Sequence, residues 1–288
     1  MTRALCACSA SEGGGRSLKR GSSGAGDIDV LDWQVEKSVA GARVQGKVVL
    51  VTGGAKRVGA AICRRLHAAG ANLMLHYRAS AGEARLLQAE LNHQRKDSVA
   101  LIQADLLDLG KLPSLVDQTV QIFGRLDALV NNAATFYQTP IGEISAEDWE
   151  NLIGADLRAP LFIAQAAAPA LKKTQGAIVN ITDIHAERPL KNYVLYSVAK
   201  AGLVGLTRSL ARELAPEVRV NAVAPGPILW PDDEAFDELS RQRIISHTPL
   251  RREGTPEDIA KAVYFLLAEA TYVTGETINV DGGRHIAL

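Results

Sequence analysis

Short apolar runs alternate with segments of helical period from Gly46 to the C-terminus, and no other feature restricts the fold as strongly. Strands are expected at about 47–52, 72–77, 98–103, 127–131, 176–182, 218–224 and 276–280. Helices are expected at about 58–69, 81–95, 111–123, 145–153, 155–173, 194–214, 234–245 and 256–268. The last opens on a Thr255 cap, Pro256 at the first helical position and acids in the first turn. Such alternation demands parallel strands with right-handed crossovers. The fold class is therefore α/β, a single doubly wound parallel sheet of about seven strands with helices on both faces. The 288 residues, 47% hydrophobic and 22% charged, are enough for one such domain, and no internal repeat is visible.

Residues 1–45 break the pattern. They are Gly/Ser-rich with scattered Arg and Lys, cannot bury a core, and lack the apolar region of a signal peptide. They read as a disordered or loosely packed extension, with an upstream start codon or a transit peptide as the other readings; the segment Asp27–Gly41 has room for a turn or two of helix. The folded domain is then 46–288. Thirty-two basic and thirty-two acidic residues cancel, so nothing points to nucleic acid or a membrane surface as partner. No apolar stretch reaches spanning length. Three cysteines (Cys6, Cys8, Cys63) make no disulfide framework, which fits a reducing, cytoplasmic compartment; no His/Cys/acid cluster suggests a metal.

Residues with chemistry to offer follow the strands: Gly53, Arg78, Asp105, Asn131, Asp183 and Pro225-Gly226. Ligands of open α/β sheets bind at the carboxyl ends of the strands, so these residues fall on one edge. The first stretch, VLVTGGAKRVGAAI, runs strand, glycine turn, helix. Gly53 permits a tight turn, Gly59 lets the helix approach the strand, and the helix N-terminus offers N–H groups to a pyrophosphate. Lys56, Arg57 and Val58 stand within that turn. At the second strand end an NAD site usually carries an acid for the ribose hydroxyl. Here the tip holds His76, Tyr77, Arg78 and Ser80, with no carboxylate before Glu83. Cations and hydroxyls suit a 2′-phosphate, so the expected cofactor is NADPH/NADP.

These pieces, with Asp105-Leu106, Asn131-Asn132-Ala133-Ala134, Tyr196 and Lys200 spaced YxxxK, Pro225-Gly226 and Val280-Asp281-Gly282-Gly283, resemble the short-chain dehydrogenase/reductase family over the whole of the regular region. The resemblance implies a Rossmann-type reductase, commonly a homotetramer. It implies that Asp105 and Leu106 meet the adenine, that Asn132, Ala133 and Ala134 line the cofactor, and that Pro225, Gly226 and Ile228 border the nicotinamide. Three positions depart from the family pattern. Arg57 replaces a turn glycine, Asp183 stands where a catalytic serine is usual, and Asp156 stands where a helical asparagine is usual. The first two departures, with NNAATFYQTP and the ending DGGRH, are similar to the pteridine reductases within the family, including bacterial dihydromonapterin reductases. That likeness implies that Phe136 stacks a pterin over the nicotinamide and that Arg57 touches both cofactor and substrate. It assigns no role to Asp156.

Tyr196 and Lys200 are four apart on a helix and share a face, so the ammonium is expected to lower the phenol pKa toward neutrality. Asp183 lies thirteen residues before Tyr196. A carboxylate cannot donate a hydrogen bond to a forming alkoxide; it suits a substrate that presents N–H donors and is reduced at C=N. A reduced pterin has both features, and its flat ring asks for an aromatic platform. The alternative for Asp183 is a cap of the following turn, for Phe136 loop packing, and for Trp230, in a Pro-rich stretch that reads as a substrate lid, surface anchoring. The expectation is an NADPH-dependent pteridine reductase with catalytic Asp183, Tyr196 and Lys200 and substrate-binding Arg57, Phe136 and Trp230. A carbonyl or 3-oxoacyl reductase of the same fold and a non-catalytic NADP(H) sensor are its rivals.

Overall fold

The computed structural model describes residues 44–230 and 237–287. The extension before them, with Cys6, Cys8 and the Asp27–Gly41 segment, lies outside the described residues, as do residues 231–236 of the expected lid and helix.

Seven parallel strands form one sheet: β1 (Val48–Val51), β2 (Asn72–Tyr77), β3 (Val99–Gln103), β4 (Ala128–Asn131), β5 (Ala177–Ile181), β6 (Arg219–Pro225) and β7 (Thr277–Val280). Their order is β3-β2-β1-β4-β5-β6-β7, so the chain winds outward from β1 in one direction and then, from β4, in the other. β1 reads VVLV and is buried along its length, as expected of a central strand covered on both faces.

The period of two along each strand divides the core. Val49 and Val51 of β1 and Leu73 and Leu75 of β2 point to one face. There they meet α1 (Arg57–Ala68), α2 (Ala81–Gln94) and, through Ile259 and Val263, α8 (Pro256–Ala268). Leu50, Met74, Leu129 and Ile178 point to the other, against α3 (Leu112–Phe123), α5 (Ala159–Thr174) and α6 (Val194–Leu214). The remaining helices among the described residues are α4 (Ala146–Ile153), α7 (Glu238–Ser246) and the short α9 (Arg284–Ala287). α8 starts with a reciprocal capping box between Thr255 and Asp258, and α4 with one between Ser145 and Asp148.

One expected helix is corrected. Between 155 and 173 the chain is not one regular helix: Gly154–Arg158 forms a wide π turn before α5 begins. Pro160 has no N–H to give the Asp156 carbonyl its usual helical bond. The widened turn directs the Asp156 side chain inward, where it is wholly buried. No helix among the described residues is long and apolar enough to cross a membrane.

Candidate active site

The strand ends enclose a cleft of about 480 Å³. It is lined by Gly53, Lys56, Arg57, Val58, Gly59, His76, Tyr77, Arg78, Ser80, Asp105, Leu106, Asn132, Ala133, Ala134, Pro225, Tyr196 and Lys200, together with Asp183. Gly226 and Ile228 instead line a neighbouring pocket of about 610 Å³, with Phe136, Trp230, Leu190 and His185. Arg57, Asp183 and Tyr196 border both spaces. The three side chains therefore stand at the seam between the two spaces.

Contacts too close for a side chain shape the glycine turn. Gly53 has φ +61°, and a Cβ on it would lie 2.9 Å from the Ala133 Cα. A Cβ on Gly59 would lie 2.1 Å from the Gly53 carbonyl oxygen. The Asn132 amide braces the same turn, donating to the carbonyls of Thr52 and Gly53 at 3.0 Å each. Thr52 Oγ1 accepts from the Asn132 and Ala133 N–H groups at 3.0 and 3.1 Å. Asn132 thus shapes the cleft from behind as well as lining it. If a dinucleotide rests on this turn, Gly59→Ala is expected to raise its Kd about 10–100-fold, the effect of overpacking by roughly 1–3 kcal/mol, as read by fluorescence titration with NADPH. A Kd within twofold of wild type would show that the turn gives way freely.

At the end of β2, His76 is not the cation foreseen. It is buried at 1% exposure, its Nδ1 accepts from the Gly53 N–H at 3.2 Å, and its Nε2 donates to the Ala104 carbonyl at 3.1 Å. Burial lowers its pKa, so it stays neutral and ties the glycine turn to the strand beyond. Arg78 is exposed and forms no ion pair among the described residues, and Ser80, the N-cap of α2, leaves its hydroxyl unused as a cap. Glu83, the next carboxylate along the chain, is paired with Lys56 at 2.7 Å.

Arg57 occupies the left-handed region at φ +51°, a conformation that favours glycine and is strained by about 1–2 kcal/mol for other residues. Its guanidinium donates to the carbonyls of Leu229 and Trp230 at 3.1 and 3.0 Å, joining the turn to the loop after β6. Arg57→Gly is expected to relax the backbone yet raise KM for substrate about 10-fold, from the loss of charge-assisted bonds of roughly 1.5–3 kcal/mol. Steady-state kinetics with an unchanged KM would remove Arg57 from the pocket's working parts.

The proton-transfer groups converge next to it. Tyr196 donates its hydroxyl to Asp183 Oδ2 at 2.8 Å. Asp183 Oδ1 accepts from the His185 N–H at 2.8 Å, capping the short 3-10 turn Ile184–Ala186. The cap and the contact with the phenol coexist, one on each oxygen. Lys200 is buried; its Nζ donates to the Ile181 carbonyl at 3.2 Å and stands 3.7 Å from Asp156 Oδ2. Asp156 Oδ1 accepts from the Thr135 N–H at 2.8 Å.

The expected lowering of the Tyr196 pKa is overturned. Burial, then the Asp183 and Asp156 carboxylates, push the phenol well above its ordinary value. Lys200 does not offset them: its Nζ is 5.5 Å from the ring centroid and faces Ile181 and Asp156. Tyr196 is therefore a neutral hydroxyl held in line by an acceptor.

Phe136 lies 4.5 Å centroid to centroid from Tyr193, nearly parallel at 18°, and edge-on to Tyr196 at 4.8 Å and 84°. Tyr193 and Arg284 escaped the sequence reading. Tyr193 is set by the turn before α6, and Arg284 enters the second pocket from α9 with Nη1 bound to the Ile244 carbonyl. For Tyr193 the only signal was proximity to the YxxxK pair, whereas Arg284 is the arginine of the DGGRH ending, to which no separate role was given.

The model of a family described as enoyl-(acyl carrier protein) reductase matches residues 53–285. Among curated proteins the chain is similar to pteridine reductase 1 of Leishmania tarentolae, at 38% identity over 82% of this chain and 95% of that protein. It is also similar to a 3-oxoacyl-(acyl-carrier-protein) reductase of Staphylococcus aureus, at 34% identity over 83% of this chain and 98% of the relative. Among solved structures it superposes on a blue fluorescent protein from a metagenomic library, in complex with NADPH, with TM-score 0.79 and 37% identity over 84% of this chain and 99% of the other.

Proposed function

We propose, for a chain that belongs to the short-chain dehydrogenase/reductase family, that it is an NADPH-dependent reductase of pteridines. It takes a dihydropterin such as dihydrobiopterin, dihydromonapterin or dihydrofolate to the tetrahydro form at a C=N bond. The observation that carries this reading is the 2.8 Å contact between Asp183 and Tyr196 where the two cavities meet. A carboxylate at that seam accepts N–H donors of an amino-pyrimidine and opposes a developing alkoxide. Similarity to a pteridine reductase supports the same reading.

The cleft fits a dinucleotide: a braced glycine turn at a helix N-terminus, and beside β2 an exposed Arg78 with the Ser80 hydroxyl to receive a 2′-phosphate. The cofactor, when bound, supplies the hydride. The chain's own residues do the rest. Tyr196 holds the proton that the substrate nitrogen gains. Asp183 aligns that hydroxyl by accepting from it, and the tyrosinate left after transfer regains its proton from solvent. Lys200, anchored on the Ile181 carbonyl, lines the cleft, where it would hold the nicotinamide ribose.

A second reading, a 3-oxoacyl or other carbonyl reductase, is favoured by the likeness to the Staphylococcus aureus protein. NADPH oxidation with a panel of dihydropterins, ketones and oxoacyl thioesters separates the two. Turnover of a ketone or thioester with none of any dihydropterin would reject the pteridine reading.

A further inference from the structure

Asp156, on the π turn before α5, is at 0% exposure. Its Oδ1 holds the Thr135 N–H, next to Phe136, while its Oδ2 has no hydrogen-bond partner among the described residues. The nearest cation to that oxygen is Lys200, at 3.7 Å. A carboxylate so placed is costly unless a charge compensates it, and the compensation is mutual: the Lys200 ammonium is offset as well. Facing Asp156 are Lys200 and Tyr196 from α6 and Asp183 from the end of β5. Arg158, on the same π turn, is paired with Glu150 at 2.7 Å.

We propose that Asp156 is a positioning residue: its charge offsets Lys200, so that Tyr196 keeps its proton and serves as donor, while its other oxygen holds the loop that carries Phe136. The idea depends on Tyr196 as the proton donor and not on which substrate is reduced. Consistent with it, the Asp156 charge is among the causes that raise the Tyr196 pKa, and burial pushes Asp156 itself up to about 6 against the pull of Lys200.

Asp156→Asn removes the charge and leaves an oxygen to accept from Thr135. In alkaline titration, the tyrosinate absorbance of Tyr196, assigned by difference from Tyr196→Phe, is expected to move to lower pH by about one unit, and the alkaline limb of the kcat–pH profile to move with it. Asp156→Ser, also neutral, must show the same shift and serves if the first variant folds poorly. A linked effect has a defined sign. A carboxyl whose folded pKa is raised contributes stability below its unfolded pKa and loses it as pH rises through about 6. Wild type must therefore gain thermal stability relative to Asp156→Asn between pH 7 and pH 5. Tyrosinate titrations that superimpose on wild type, or a stability difference constant across that range, would overturn the proposal.

Discussion

Tyr196→Phe is expected to lower kcat/KM for a dihydropterin by about 10²–10⁴-fold, the usual contribution of a positioned general acid. The loss falls on kcat. The ring stays edge-on to Phe136, and the glycine turn that would hold NADPH is untouched, so the cofactor Kd by fluorescence stays within a few-fold of wild type. The phenol is buried and held neutral by its carboxylate neighbours, so the variant lacks a proton that wild type carries well past neutral pH. A kcat within tenfold of wild type would show that the proton comes from another group.

Asp183→Ser is expected to produce the second large effect, a fall of about 10²-fold in dihydropterin kcat/KM. That is the value of one or two charge-assisted hydrogen bonds of roughly 1.5–3 kcal/mol. Serine retains an oxygen able to cap the His185 N–H, so the short turn after β5 survives and the loss reports chemistry. The same variant is expected to gain on ketones, because a hydroxyl can donate to a carbonyl oxygen where a carboxylate cannot. Equal dihydropterin rates for Asp183→Ser and wild type would leave the pteridine reading without its carboxylate argument.

Much of this site is legible along the chain because strand ends are local features. Gly53, Arg78, Asp105, Asp183 and Pro225 each follow an apolar run, and parallel pairing carries every such end to one edge. What escaped the reading depends on distances across elements. His76 looks like a strand-end cation, but the Gly53 N–H and the Ala104 carbonyl, 23 and 28 positions away, make it a neutral brace. Lys200 shares a helix face with Tyr196, yet the groups that set the phenol come from β5 and the π turn. Tyr193 stacks on Phe136 from another loop, with no signature of its own.

The order of apolar runs, turn glycines and caps therefore determined the sheet, its direction and the edge that bears the site, because hydrophobic period and backbone freedom act between near neighbours. Only the folded chain decided which groups carry charge there. Burial and Coulomb interactions depend on separations through space, and Asp156, buried beside Lys200 and 44 positions from it in the chain, exists as a partner only after folding.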